Sequence, residues 1–198
     1  CSSDLLEISP LSPAQKEVCR EIFAEWETEH PRPCLIKGGT GSGKTEVYME
    51  LITHVLEQGQ QVIVLIPEIA LTYQNVSRFY RRFGDCVSLI NSRLSKGERF
   101  DQFERAKKGE VSIVIGPRSA LFTPFPNLGL ILIDEEHEDS YKSEKTPCYH
   151  ARETAIRRGE MEGAHVVLGS ASPSVESYYK GKTGEYKLLY LEIGRAHV

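Results

Sequence analysis

Residues Gly38 to Thr45 read GGTGSGKT, directly behind the apolar run CLIK and directly ahead of a segment with helical spacing. A strand, a glycine-rich turn and a helix in that order leave few folds open. The pattern matches G-x-x-x-x-G-K-[ST], whose glycines let successive backbone N–H groups turn inward around phosphate oxygens. The following helix adds the partial positive charge of its N-terminus. Gly38, Gly39, Thr40, Gly41, Ser42 and Gly43 are therefore expected to cradle phosphates. Lys44 is expected to reach the β- and γ-phosphates, and Thr45 to offer its hydroxyl to Mg²⁺.

The remaining apolar runs are continuous rather than alternating: QVIVLI, CVSLI, VSIVI, LILI and AHVVL. Between them lie segments with helix signals. Ser12-Pro13-Ala14-Gln15 opens one, with Val18, Ile22, Phe23 and Trp26 at helical spacing. Others run from Lys44 to Leu56, from about Glu68 to Phe83, from Ser95 to near Gly109, and around residues 150–162. Continuous apolar strands alternating with helices predict an α/β fold, a mainly parallel sheet with helices on both faces. Functional residues then belong beyond the carboxyl ends of the strands.

One such end is GLILIDEEHEDSYK, where a buried run delivers Asp134, Glu135, Glu136 and His137 in succession. Crowded carboxylates repel one another and resist desolvation, so positive charge is expected nearby. In a phosphate-loop site, Asp134 is expected to hold Mg²⁺ through water and Glu135 to activate the attacking water. Lys44 and the metal offset the negative charge.

The net charge of −4 speaks against a uniformly basic nucleic-acid binder while leaving room for a local basic face. No apolar run reaches the length of a membrane span, so no membrane association is expected. Five scattered cysteines without a CxxC pair read as reduced thiols of a cytoplasmic protein and as neither a disulfide framework nor a zinc site.

No N-K-x-D guanine reader is present, and D-E-x-H belongs to helicase-like motors. TGSGKTEVY, LIPEIALTYQ, RSALFTPFPNLGLILIDEEHEDSYK, YHARETAI and LGSASPSVES resemble, in order, the motifs of the PriA family of primosomal replication-restart DNA helicases, within superfamily 2. The resemblance reaches to about Leu191 and implies the first, RecA-like motor lobe of a 3′-to-5′ helicase. Its implied ligands are ATP, Mg²⁺ and single-stranded or forked DNA, and its implied partners are primosome and replication-restart proteins. Gln15 would contact adenine, although its place in the helix start equally suits capping. His137, Ser170 and Ser172 would couple nucleotide state to DNA grip. Arg118, Tyr141, Lys142, Tyr149 and Arg152 would contact DNA, the tyrosines by stacking and the cations at phosphates. Local packing is the competing reading for the tyrosines.

Pro117, Asn91, Cys148 and Ser172 stand where that family usually has Thr, His, Arg and Thr; Pro117 and Cys148 bear on DNA coupling rather than on the phosphate loop. Residues 1–11 read as an incomplete N-terminal linker and 12–191 as the ATP-binding lobe. Residues 192–198 have a permitted back-translation that contains a common sequencing-adapter sequence, and are expected to be a non-native tail. The resemblance implies a second lobe, with arginine fingers, and a zinc-binding cysteine region, both expected outside these residues. Such a finger is worth roughly 10³–10⁵ in rate. The lobe alone is therefore expected to bind Mg·ATP, to hydrolyse it very slowly and to unwind nothing. The alternatives are a lobe of another superfamily 2 translocase or a nucleotide-switched nucleic-acid-binding module.

Overall fold

A computed structural model describes residues 9–192. Cys1, most of the expected linker and residues 193–198 of the expected adapter tail lie outside the described residues.

The chain begins with α1 (Pro13–Trp26). Ser12 and Gln15 close a reciprocal capping box at its start, the Gln15 amide N–H donating to Ser12 Oγ and Ser12 N–H to Gln15 Oε1. There follow β1 (Cys34–Gly38), α2 (Lys44–Glu57), β2 (Gln61–Leu65), α3 (Tyr73–Phe83), β3 (Val87–Leu89), α4 (Lys96–Lys107), β4 (Ile113–Gly116) and β5 (Leu128–Asp134). A two-stranded hairpin, β6 (Lys142–Ser143) with β7 (Tyr149–His150), leads into α5 (Ala151–Glu162). The chain continues through β8 (His165–Ser170), α6 (Val175–Thr183) and β9 (Lys187–Leu191).

Seven strands form one parallel sheet in the order β3-β4-β2-β5-β8-β1-β9. Successive strand residues face opposite sides, and both sides are covered. Ile36, Val62, Val64, Leu130 and Leu132 pack with α1, α2 and α3. Leu35, Ile63, Leu65, Ile131 and Ile133 pack with α4, α5 and Tyr141 on the other side. Two-sided burial explains why these strands read as unbroken apolar runs.

Three features differ from the sequence expectation. The helix expected from about Glu68 is a 3₁₀ turn over Glu68–Ala70 followed by α3. Thr72 restarts the helix by accepting the Asn75 amide N–H at 3.3 Å, a local bond that outcompetes continuation from Glu68. The helix α6, capped by Ser174, was not anticipated, nor was β9, whose Tyr190 is exposed at the sheet's edge. The run LLYL becomes a strand by pairing with β1.

The order of strands positions the site. β8 lies between β1 and β5, pairing Lys37 with Ser170 on one side and Asp134 with Gly169 on the other. The glycine-rich loop, Ser170 and Asp134 thus occupy adjacent carboxyl ends, although Asp134 and Ser170 lie far along the chain from the loop.

Candidate nucleotide site and nucleic-acid surface

The loop between β1 and α2 turns through two left-handed glycines, Gly41 at φ 79° and Gly43 at φ 89°. Gly43 is required on two counts: its φ strains any side chain, and a Cβ there would collide with the Gln15 amide. That amide donates from Nε2 to Gly43 O at 3.2 Å while its oxygen caps α1. The capping role is therefore realised, and the same side chain also touches the phosphate loop.

Lys44 is buried, with Nζ donating to Gly38 O at 2.7 Å and Gly39 O at 3.3 Å. It also lies 3.7 Å from Glu135 Oε1. Gly39, Thr40 and Gly41 are exposed, while Ser42 and Thr45 are half-buried. Within the described residues, Ser42 Oγ is a buried polar atom without a hydrogen-bond partner, and α2 starts without a side-chain cap. A buried ammonium, an orphaned hydroxyl and an uncapped helix start around an open loop fit a phosphate group. Among the described residues there is no cluster of three or more His, Cys, Asp or Glu able to hold a metal alone. That donor set suits Mg²⁺, which ordinarily shares one or two carboxylates with phosphate and water.

The acidic run is resolved by giving each carboxylate its own partner. Asp134 Oδ1 accepts the Tyr48 hydroxyl at 2.8 Å. Burial pushes the Asp134 carboxyl above its usual range; the Tyr48 bond opposes this, Glu135 adds to the rise, and Lys44 opposes it. Glu135 adopts φ 49°, the left-handed region that costs a non-glycine residue of order 1–3 kcal/mol. That bend ends β5 and sends the side chain back towards Lys44 and towards His137 Nδ1, 3.5 Å from Glu135 Oε2. Glu136 is fully buried and paired with Arg152 Nη1 at 2.9 Å. It also accepts from Ser174 N at 2.7 Å, Ser174 Oγ at 3.2 Å and Ser177 Oγ at 2.9 Å.

The expected coupling residues meet at the β8 end. His137 Nδ1 is hydrogen-bonded to Ser170 Oγ at 2.6 Å, and the Ser172 amide donates to the same oxygen at 3.0 Å. His137 therefore touches both Glu135 and the loop after β8.

Two of the expected DNA contacts are corrected. Tyr141 is 1% exposed, and the single proton of its hydroxyl is shared between Asp134 O at 2.6 Å and Leu65 O at 3.0 Å. Its ring packs in the core and has no face left for a base. Arg152 is 3% exposed and holds Glu136, Glu153 and Glu176, so its guanidinium is already neutralised. Arg118, Lys142 and Tyr149 are accessible. Arg118 donates to Ser140 O at 2.9 Å and Lys142 O at 2.7 Å, and lies 5.8 Å from the Tyr149 ring centre. Arg118 borders a cleft of about 410 Å³ with Pro67, Glu68, Ser92, Arg99 and Pro117, at the carboxyl ends of β2, β3 and β4.

Sequence reasoning missed Tyr48, Glu136 as a structural rather than site carboxylate, and Gly169. The signal for Tyr48 was its spacing: three residues after Thr45, it shares a helix face with the phosphate-loop end of α2.

Residues 12–180 match the family model described as DEAD/DEAH box helicase. The chain belongs to the DEAD/DEAH box helicase family. It is 48% identical over 183 residues to replication restart protein PriA of Bacillus subtilis (strain 168), covering 92% of this chain and 23% of that protein. It is 47% identical over 191 residues to PriA of Chlamydia pneumoniae, covering 93% of this chain and 26% of that one. The chain thus spans about a quarter of the length of these curated relatives. Among solved structures, RecG bound to a three-way DNA junction matches with a TM-score of 0.68 and 25% identity, over 98% of this chain and 25% of that one. The Hef helicase domain of Pyrococcus furiosus matches at 0.65 and 20% identity, over 91% of this chain and 38% of that one. The sheet and its helices are accordingly a RecA-like helicase lobe.

Proposed function

We propose that this DEAD/DEAH box helicase chain is the ATP-binding motor lobe of a 3′-to-5′ DNA helicase acting in replication restart. The observation that carries the reading is the convergence of Lys44 on Glu135, 3.7 Å apart, beside an open glycine loop. The similarity to PriA supports replication restart as the process.

In this reading the loop from Gly38 to Gly43 binds the phosphates of ATP, Lys44 exchanges its two loop carbonyls for phosphate oxygens, and Gln15 faces the adenine. Thr45 and Asp134 would hold Mg²⁺, Asp134 through water, and the ion would supply positive charge to the phosphates. Glu135 orients a water and takes its proton, while His137 and Ser170 pass the change to Ser172. Arg118, Lys142 and Tyr149 border the path of single-stranded or forked DNA. The longer relatives' remaining three quarters would supply the second lobe, the zinc region and the surfaces for primosome and replication-restart proteins, in the cytoplasm. Without them this lobe binds Mg·ATP and turns it over very slowly.

The test is Glu135→Gln in the full-length protein. ATP affinity is expected to stay within about threefold of wild type, while DNA-stimulated turnover falls by roughly 10²–10⁴, the usual range for losing a general base. Unchanged turnover would refute the motor assignment; turnover stimulated by RNA but not by DNA would refute the substrate.

A further inference from the structure

Tyr48 and Gly169 form a lock on Asp134 that neither the phosphate loop nor the acidic motif includes. Tyr48 sits in α2, one turn beyond Thr45, and is 2% exposed. Its hydroxyl donates to Asp134 Oδ1 at 2.8 Å. Gly169 is the β8 residue paired with Asp134 across the sheet. A Cβ on Gly169 would overlap the Tyr48 hydroxyl, so the missing side chain is the notch that admits it. Gly169 also accepts the Glu136 amide at 3.1 Å, which fastens the turn just after Asp134 to the same strand.

We infer that Tyr48 is a positioning residue, whose hydroxyl, seated in the Gly169 notch, sets the orientation of the Asp134 carboxylate for magnesium. This deepens the Mg·ATP reading and rests on it. A carboxylate at a strand tip rotates about two torsions. Fixing one oxygen by a charge-assisted bond leaves a single pose ready for a metal that demands near-ideal octahedral geometry. Because the donor is on α2, the same rigid helix that begins with Lys44 and Thr45 also sets Asp134. The phosphate and metal halves of the site thereby share one reference frame.

The experiment is equilibrium binding of a fluorescent ATP analogue to the full-length protein, with Mg²⁺ and with chelator, for wild type, Tyr48→Phe and Gly169→Ala. Tyr48→Phe keeps the ring and removes only the hydroxyl. Gly169→Ala keeps the hydroxyl and drives it off the carboxylate. Both variants are expected to bind the analogue without metal within about twofold of wild type. Both should lose roughly tenfold of the extra affinity that Mg²⁺ confers, as expected for losing a hydrogen bond to a charged group. Thermal unfolding identifies any variant that fails to fold, and Tyr48→Phe, the milder change, then decides alone. Tyr48→Phe retaining the full Mg²⁺ enhancement would overturn the proposal. So would an equal loss with and without metal, which would mark Tyr48 as packing only. A wild-type protein whose affinity ignores Mg²⁺ would instead overturn the underlying Mg·ATP reading.

Discussion

Replacing Arg152 by Met separates a structural ion pair from a DNA contact. The methionine keeps much of the volume but leaves Glu136, fully buried, without its cation. Removing one partner of a buried pair costs about 3–5 kcal/mol, because the other charge stays desolvated. Here Glu136 keeps the Ser174 amide and the Ser174 and Ser177 hydroxyls at 2.7–3.2 Å, which places the loss at the lower end, ~3 kcal/mol. The bonds from Arg152 to Glu153 and Glu176 contribute little, since those carboxylates are 47% and 70% exposed. For a domain of this size the loss corresponds to a fall in Tm of about 6–12 °C. Adding Glu136→Gln to Arg152→Met should recover part of that loss, because the orphaned charge is then gone. Calorimetry or urea unfolding of the three proteins reads the effect. An Arg152→Met protein that melts within about 2 °C of wild type would refute the reasoning. If it also lost DNA affinity and about one unit of salt-dependence slope, it would restore Arg152 as a phosphate contact.

Tyr141→Phe strips the hydroxyl from two main-chain carbonyls, Leu65 O and Asp134 O. Losing that buried hydrogen bond costs roughly 0.5–1.5 kcal/mol in denaturant unfolding, with single-stranded DNA affinity unchanged when the folded variant is titrated. His165 stacks on Trp26 with ring centres 4.4 Å apart, and burial, helped by the nearby His54, pulls its pKa from 6.5 down to about 4. The unfolded chain therefore takes up this proton first, so stability present above pH 6.5 is lost as the pH falls towards 4. His165→Gln should flatten the urea midpoint across that window, and an identical pH profile in the variant would contradict this.

Periodicity and punctuation made the architecture legible. Strands buried on both faces cannot hide as alternating patterns, and Ser12 and Ser95 mark helix starts by bonding to residues three positions on. The phosphate loop was legible because its constraint is local: glycine conformations and a lysine in fixed sequence. Tyr141 and Arg152 were misread because their partners are remote. Tyr141 reaches back to Leu65, and Arg152 is claimed by Glu136 from one side and Glu176 from the other. Nothing in SYKSEKTPCYHAR announces that its first tyrosine points inward while its second lies beside Arg118. Tyr48 was passed over for a related reason. Its spacing from Thr45 puts it on the face of α2 that meets the phosphate loop. Inside a largely buried helix, however, a tyrosine reads as core, and the carboxylate that its hydroxyl meets is remote in the chain.

The placement of β8 between β1 and β5 restricts how such a lobe can move. Prising the glycine loop away from Asp134 by spreading the sheet would break a whole ladder of main-chain hydrogen bonds, β1 with β8 or β8 with β5. The three strand ends must therefore travel together. Under the proposed function, a nucleotide-driven stroke is then assigned to what projects past them: the bend at Glu135, the His137 ring and the short link from Ser170 to α6.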